Sequence, residues 1–167
     1  EPGCGLIIGD HNVLRESVTI HRALFDAGPT RVGNHNYLMA NSHVGHDSQV
    51  ANHCIFANGT LLGGHVHIAE KVVMGGNAAI HQFCRVGRGA MLSGTAGLTR
   101  DLPPFFMLTG INIAGSINII GLRRSGMPRA HIDIVRWIYK TLYRQGLTLA
   151  QAKQVLMEHD EHPIITE

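Results

Sequence analysis

The chain has 167 residues and a mass of 18.2 kDa, the size of one domain with at most a small appendage. Hydrophobic residues make up 44% and charged residues only 16%, which excludes a disordered chain, and a net charge of +2 is too small to imply nucleic-acid binding. Three cysteines without a CxxC pair argue against a disulfide scaffold or a Cys-based zinc site, and no apolar run reaches membrane-spanning length or follows a basic start like a signal peptide. The chain begins at Glu1 rather than Met, as a processed product or a fragment would.

A six-residue repeat dominates the pattern. Stepping by six from Val32 to Leu98 meets only large aliphatic residues or Phe: Val32, Leu38, Val44, Val50, Phe56, Leu62, Ile68, Met74, Ile80, Val86, Leu92 and Leu98. The residue after each anchor is mostly small, with Gly at 33, 45, 63, 75 and 87, and the residue four after it is also restrained. Ile8, Leu14 and Ile20 keep the phase upstream, and residues 21–31 break it as a loop leaving the repeat. A period of six fits neither a helix nor an alternating strand. It fits a solenoid of short strands and tight turns, with the anchor and the residue four later pointing inward and Gly serving the turn. The pattern resembles the hexapeptide-repeat proteins, whose fold is a left-handed parallel β-helix with 18 residues per coil.

The predicted β-helix covers residues 1–104 and stops at Asp101-Leu102-Pro103-Pro104. A connector follows over 105–126, and residues 127–167 read as C-terminal helices. The first helix runs from Pro128 to about Arg144, with Ile134, Val135, Ile138 and Leu142 as its apolar face and Arg129, Arg136, Lys140 and Arg144 opposite, Asp133 among them. Gly146 ends it, and Thr148 caps a second helix to about Glu158.

Winding the repeat into 18-residue coils brings His43, His46, His65 and His81 to one corner on successive layers. His35 and His53 share another phase and read as a surface stack. Solvated turn residues would be the bland explanation for any one histidine, but the clustering weighs against it. Asp47 follows His46 and supplies a carboxylate to orient an imidazole, the side chain best suited to act as a general base near neutral pH. Gly63-Gly64 precede His65, so a backbone N–H can approach a reacting carbonyl as an oxyanion donor. The competing reading is a catalytic zinc on His43, His46 and His65, as in the γ-class carbonic anhydrases, but the close pair comes first here and last in that class. The favoured reading needs no metal and no cofactor.

Longer strings make the resemblance specific. Arg15 to Arg22 (RESVTIHR), His43-Val44-Gly45-His46-Asp47, Gly63-Gly64-His65-Val66, His81-Gln82-Phe83-Cys84, Asp101 to Pro104 and Asn118 to Arg124 (NIIGLRR) together resemble the acyl-carrier-protein-dependent UDP-N-acetylglucosamine O-acyltransferases of lipid A biosynthesis, over nearly the whole chain. The resemblance implies a cytoplasmic homotrimer that moves a 3-hydroxyacyl chain from acyl carrier protein to the 3-hydroxyl of UDP-N-acetylglucosamine, with its active site between neighbouring β-helices. It makes His46 the general base, Asp47 its orienting partner and the Gly64 N–H the oxyanion donor. His43, His65, His81 and Gln82 would bind substrate and acyl chain, Asn118 and Arg124 the nucleotide or pantetheine end, and Gly94 would leave room for a long acyl chain. The basic helix face suits an acidic carrier protein.

The chain departs from the family pattern in several places. It starts well inside the family's β-helix, with roughly the first four coils missing and the C-terminal helical region short. Ile120 stands where an acidic nucleotide contact is expected, Ser125 replaces a basic residue, and the connector is one residue short around Ile111 to Ser116. The alternatives are a related hexapeptide acyltransferase with another sugar acceptor or a coenzyme A donor, and an inactive β-helix fragment that only trimerises.

Overall fold

A computed structural model describes residues 5–24 and 28–158. Cys4 and the chain after Glu158 lie outside the described residues. The chain divides into two units, Glu1–Asn118 and Ile119–Glu167.

The first unit is a three-sheet parallel β-helix. Its coils are β1 (Leu6–Ile8), β2 (Val13–Leu14) and β3 (Thr19–Ile20); β4 (Thr30–Val32), β5 (Tyr37–Leu38) and β6 (His43–Val44); β7 (Gln49–Val50), β8 (Ile55–Phe56) and β9 (Leu61–Leu62); β10 (His67–Ile68), β11 (Val73–Met74) and β12 (Ala79–Ile80); and β13 (Arg85–Val86), β14 (Met91–Leu92) and β15 (Gly97–Leu98). The first strands of the coils pair in one sheet, β1-β4-β7-β10-β13. The second strands pair as β2-β5-β8-β11-β14, extended by β16 (Phe106–Leu108) and antiparallel β17 (Ser116–Ile117), and the third as β3-β6-β9-β12-β15. Anchor pairs with anchor, as in Val32↔Val50 and Ile68↔Val86, so an 18-residue step keeps like residues in layers.

All twelve predicted anchors are buried to 3% exposure or less, and every residue four positions after an anchor is buried too. The interior therefore has two inward positions per hexad. Near the start of the solenoid the second one is polar and bonds between coils: Asn36 Oδ1 accepts from Cys54 N at 2.8 Å, and Ser48 Oγ accepts from Val66 N at 3.1 Å while donating to Gly63 O at 3.1 Å. Toward its end the same position is Val66, Val72, Ala78 or Ala90, and the interior becomes apolar. Burial pushes the Cys54 thiol up to about 11, so it is an inert core residue.

The reason for the glycines differs from the expected one. From Val32 to Leu92 the left-handed turn residue lies three after the anchor and is seldom Gly: His35, Asn41, Asp47, His53, His65, Lys71, Asn77, Phe83 and Thr95 all have φ between 57° and 68°. The glycines directly after the anchors are needed for close approach of coils. A Cβ on Gly45 would sit 2.6 Å from the backbone C and O of Gly63. Gly45→Ala is expected to lower unfolding stability by about 1–3 kcal/mol, since rigid backbone lies opposite, and a denaturant melt would measure it.

The surface stack is present: the His35 and His53 rings lie 4.9 Å apart and parallel within 1°, and His11 extends it at 4.8 Å. Stepping from β1 to β4 takes 24 residues instead of 18, because the chain leaves the solenoid after β3.

The second unit holds α1 (Ile119–Arg124), α2 (Arg129–Tyr143) and α3 (Leu149–Met157). Thr148 caps α3 reciprocally with Gln151, its Oγ1 accepting from Gln151 N while its own N–H donates to Gln151 Oε1. Gly146 adopts φ +67° just past α2. The buried positions of α2 are Ile132, Val135 and Thr141; Ile134, Ile138 and Leu142 are half-buried. The covered stripe is wider than expected because α2 packs against both α1 and α3. No helix among the described residues is long and apolar enough to cross a membrane.

Candidate active site

The corner after β6, β9 and β12 collects the chemistry. The turn after β6 presents His46 and Asp47, the turn after β9 presents Gly64 and His65, and the turn after β12 presents Gln82 and Phe83. The 18-residue period stacks Asp47, His65 and Phe83 in one column, each with positive φ.

Within this column the Asp47 carboxylate is 5% exposed, while His46 and His65 are about a quarter exposed. His46 Nδ1 lies 2.7 Å from Asp47 Oδ2. A buried carboxylate beside it accepts, so Nδ1 carries the proton and Nε2 keeps its lone pair. His65 Nε2 is 3.8 Å from the same oxygen. The His65 ring crosses that of His46 edge-on at 5.2 Å and stacks on Phe83 at 4.7 Å.

Gly64 lies under the His46 ring. A Cβ there would fall 2.6 Å from His46 Cε1 and 2.7 Å from Nε2, so only glycine allows the imidazole its position. Among the described residues the Gly64 N–H donates to no acceptor. His46 Nε2 and the Gly64 N–H therefore lie beside one another, the arrangement that base-assisted attack on a carbonyl uses.

The other predicted residues are placed differently. His43 is on β6, its Nδ1 2.8 Å from Thr19 Oγ1 and its ring edge-on to His21 at 4.6 Å. His21 therefore joins the edge, although its place at the start of the loop hid it from the 18-residue count. Burial, helped by nearby His21, holds His43 below the ordinary imidazole value of 6.5. An NMR titration is expected to give a midpoint below 6.5 for His43. Folded His43 binds its proton less tightly than the unfolded chain does. Its contribution to stability is thus full above pH 6.5 and lost as the pH falls through the depressed value.

His81 and Gln82 are exposed, with His81 Nδ1 3.2 Å from the Gln82 carbonyl. Gly94 lies after β14, at a different corner, where an added Cβ would meet only Gly76 O at 3.4 Å and N at 3.9 Å. Asn118 is buried; its backbone N–H donates to Phe105 O at 2.7 Å and its Nδ2 to Gly89 O at 3.1 Å, away from the histidine corner. Arg124 is exposed in the last turn of α1. On α2, Asp133 binds Arg136 at 2.9 Å and lies 3.9 Å from Arg129, so part of the basic face is internally neutralised.

A metal could be held only where donors converge, and among the described residues that is His46, Asp47 and His65, with ligand atoms within 4.8 Å of one another. His43, the third ligand of the zinc alternative, is not part of that group. A groove of about 820 Å³ runs along the β4-β7-β10-β13 face past Arg31, His67 and Arg85; that face begins just past the histidine corner, but His46, Asp47 and His65 do not line the groove.

A hexapeptide solenoid with a histidine–carboxylate pair at its corner defines a class, the bacterial hexapeptide transferases, and the model of that repeat matches residues 29–64. The model for the second domain of UDP-N-acetylglucosamine O-acyltransferase matches residues 101–167. An acyl-[acyl-carrier-protein]–UDP-N-acetylglucosamine O-acyltransferase of Pseudomonas putida is 44% identical over 95% of this chain and 62% of its own length. The UDP-N-acetylglucosamine acyltransferase structure from Campylobacter jejuni superposes with a TM-score of 0.91 at 35% identity, covering 97% of this chain and 64% of that one. The one from Bacteroides fragilis does so with a TM-score of 0.86 at 30% identity, covering 97% and 76%. The chain belongs to the UDP-N-acetylglucosamine O-acyltransferase family. It spans about three fifths of the length of the curated relatives it matches.

Proposed function

We propose that the protein transfers a 3-hydroxyacyl chain from acyl carrier protein to the 3-hydroxyl of UDP-N-acetylglucosamine, the first step of lipid A biosynthesis, in the cytoplasm. The observation that carries this reading is the His46 imidazole, tied to buried Asp47 at 2.7 Å with Nε2 against the Gly64 backbone. Nε2 takes the proton of the sugar hydroxyl as its oxygen attacks the thioester carbonyl. The Gly64 N–H stabilises the tetrahedral oxyanion. Collapse breaks the C–S bond, and the carrier's thiolate recovers the proton from His46. Asp47 stays ionised and holds the ring.

His43, His65, His81 and Gln82 line the acceptor and acyl path in this reading. Gly94, Asn118 and Arg124 act at the chain-length and nucleotide ends. Gly94 and Asn118 lie on other corners of the β-helix than His46, so a site that uses all of them draws on neighbouring copies. This favours a homotrimer. A second reading, another nucleotide-sugar acceptor, rests on Ile120, an apolar residue 60% exposed on α1 where an acidic contact is expected.

The test is product formation by mass spectrometry from 3-hydroxyacyl carrier protein and UDP-N-acetylglucosamine, beside a second nucleotide sugar and the coenzyme A thioester. Transfer to UDP-N-acetylglucosamine supports the reading, and transfer only to the other sugar replaces it. Stoichiometric zinc together with hydration of carbon dioxide to bicarbonate would favour the metal alternative instead.

A further inference from the structure

At each step of six from His35 to Thr95 the left-handed turn residue donates its N–H to the coil below. For His35, Asn41, His53, Gly59, His65, Lys71, Asn77, Phe83, Gly89 and Thr95 the acceptor is a backbone carbonyl, as in His65 N to His46 O at 2.9 Å. Asp47 is the exception among these turns. Its N–H donates to the Thr30 hydroxyl at 2.8 Å.

The cause is topological. The corner beneath Asp47 is where the chain leaves the solenoid, and among the described residues it is the Thr30 hydroxyl that meets the Asp47 N–H there. Thr30 is fully buried and occupies the inward phase two residues before the Val32 anchor. Its hydroxyl takes over the carbonyl's role. The departing segment contributes as well: Leu24 N donates to Asp47 Oδ2 at 3.2 Å, and the N–H of Ala23, a fully buried residue, donates to Gly5 O at 3.0 Å.

We infer that Thr30 is a positioning residue for the His46–Asp47 pair: its hydroxyl maintains the left-handed turn that aims the Asp47 carboxylate at His46 Nδ1. The inference rests on the proposed acyl transfer for its kinetic readout, but not for its spectroscopic one. Thr30→Val keeps shape and removes the hydroxyl that accepts from the Asp47 N–H, so the turn loses that hydrogen bond and can relax. Thr30→Ser keeps the acceptor.

In the full chain, Thr30→Val is expected to lower kcat at least tenfold with KM changed less than twofold, and Thr30→Ser to restore it. The downfield Nδ1 proton resonance of His46, present in the parent and the Ser variant, is expected to vanish or move upfield in the Val variant. A purely structural role would lower the melting temperature and leave resonance and kcat in place; that outcome overturns the inference. If Thr30→Val does not fold, Thr30→Cys, of similar size with a weak acceptor, is read the same way, and an unchanged resonance and kcat there also overturns it. If the parent transfers no acyl group, the proposed function fails, and the resonance alone decides the role of Thr30.

Discussion

His46→Ala is expected to lower acyl transfer by about 10²–10⁴-fold, the usual range for removing a general base. The fold should survive, because His46 sits on a turn outside the anchor layers with its side chain 29% exposed. The two effects separate cleanly: steady-state turnover reads the first and a thermal melt the second. Turnover at the parental rate would remove His46 from the chemistry and leave the corner as a solvated edge. Loss of both activity and fold would mean that the pair with Asp47 supports the solenoid rather than the reaction.

Gly64→Ala is expected to reduce transfer by about 10²-fold although it adds only one methyl group and keeps the backbone N–H that faces the oxyanion. Its Cβ would come within 2.7 Å of His46 Nε2 and 2.6 Å of Cε1. The backbone at Gly64 is not left-handed, so alanine is conformationally acceptable there. The contact falls on the imidazole, and moving the ring to relieve it stretches its 2.7 Å bond to Asp47. Gly76→Ala is the matched control. It stands in the same phase one sheet earlier, yet its Cβ would meet only Asn58 O at 3.5 Å. The kinetics and melts of the two variants, measured together, distinguish displacement of His46 from a general intolerance of this turn position.

The solenoid was legible because its cause is periodic. Each coil buries the same positions as the one below, so a six-residue pattern is a direct record of which side chains face inward, and every anchor from Val32 to Leu98 lies inside. Asp47, His46, Gly64 and His65 could be grouped because they obey the same 18-residue count. The count failed wherever the chain left it. His21 stands at the start of an excursion that adds six residues, so its place against His43 depends on where the chain returns. Asn118 carries a family string, but its side chain is committed to Gly89 O on another corner, and only folding the strands after the last coil reveals this.

The amino-acid order by itself determined the coil length, the inward residues, the histidine-rich corner, and the helices that begin near Pro128 and at Thr148. Those features arise from local propensity and from a repeat that pairs each residue with its own equivalent. Only the tertiary structure decided why glycine follows the anchors, because that reason is the approach of one backbone to the next, as between Gly45 and Gly63. It also decided what holds Asp47. The acceptor there is Thr30, seventeen residues back across a break in the repeat. No periodicity foretells that pairing, because it exists only where periodicity is interrupted and a buried N–H must find another partner.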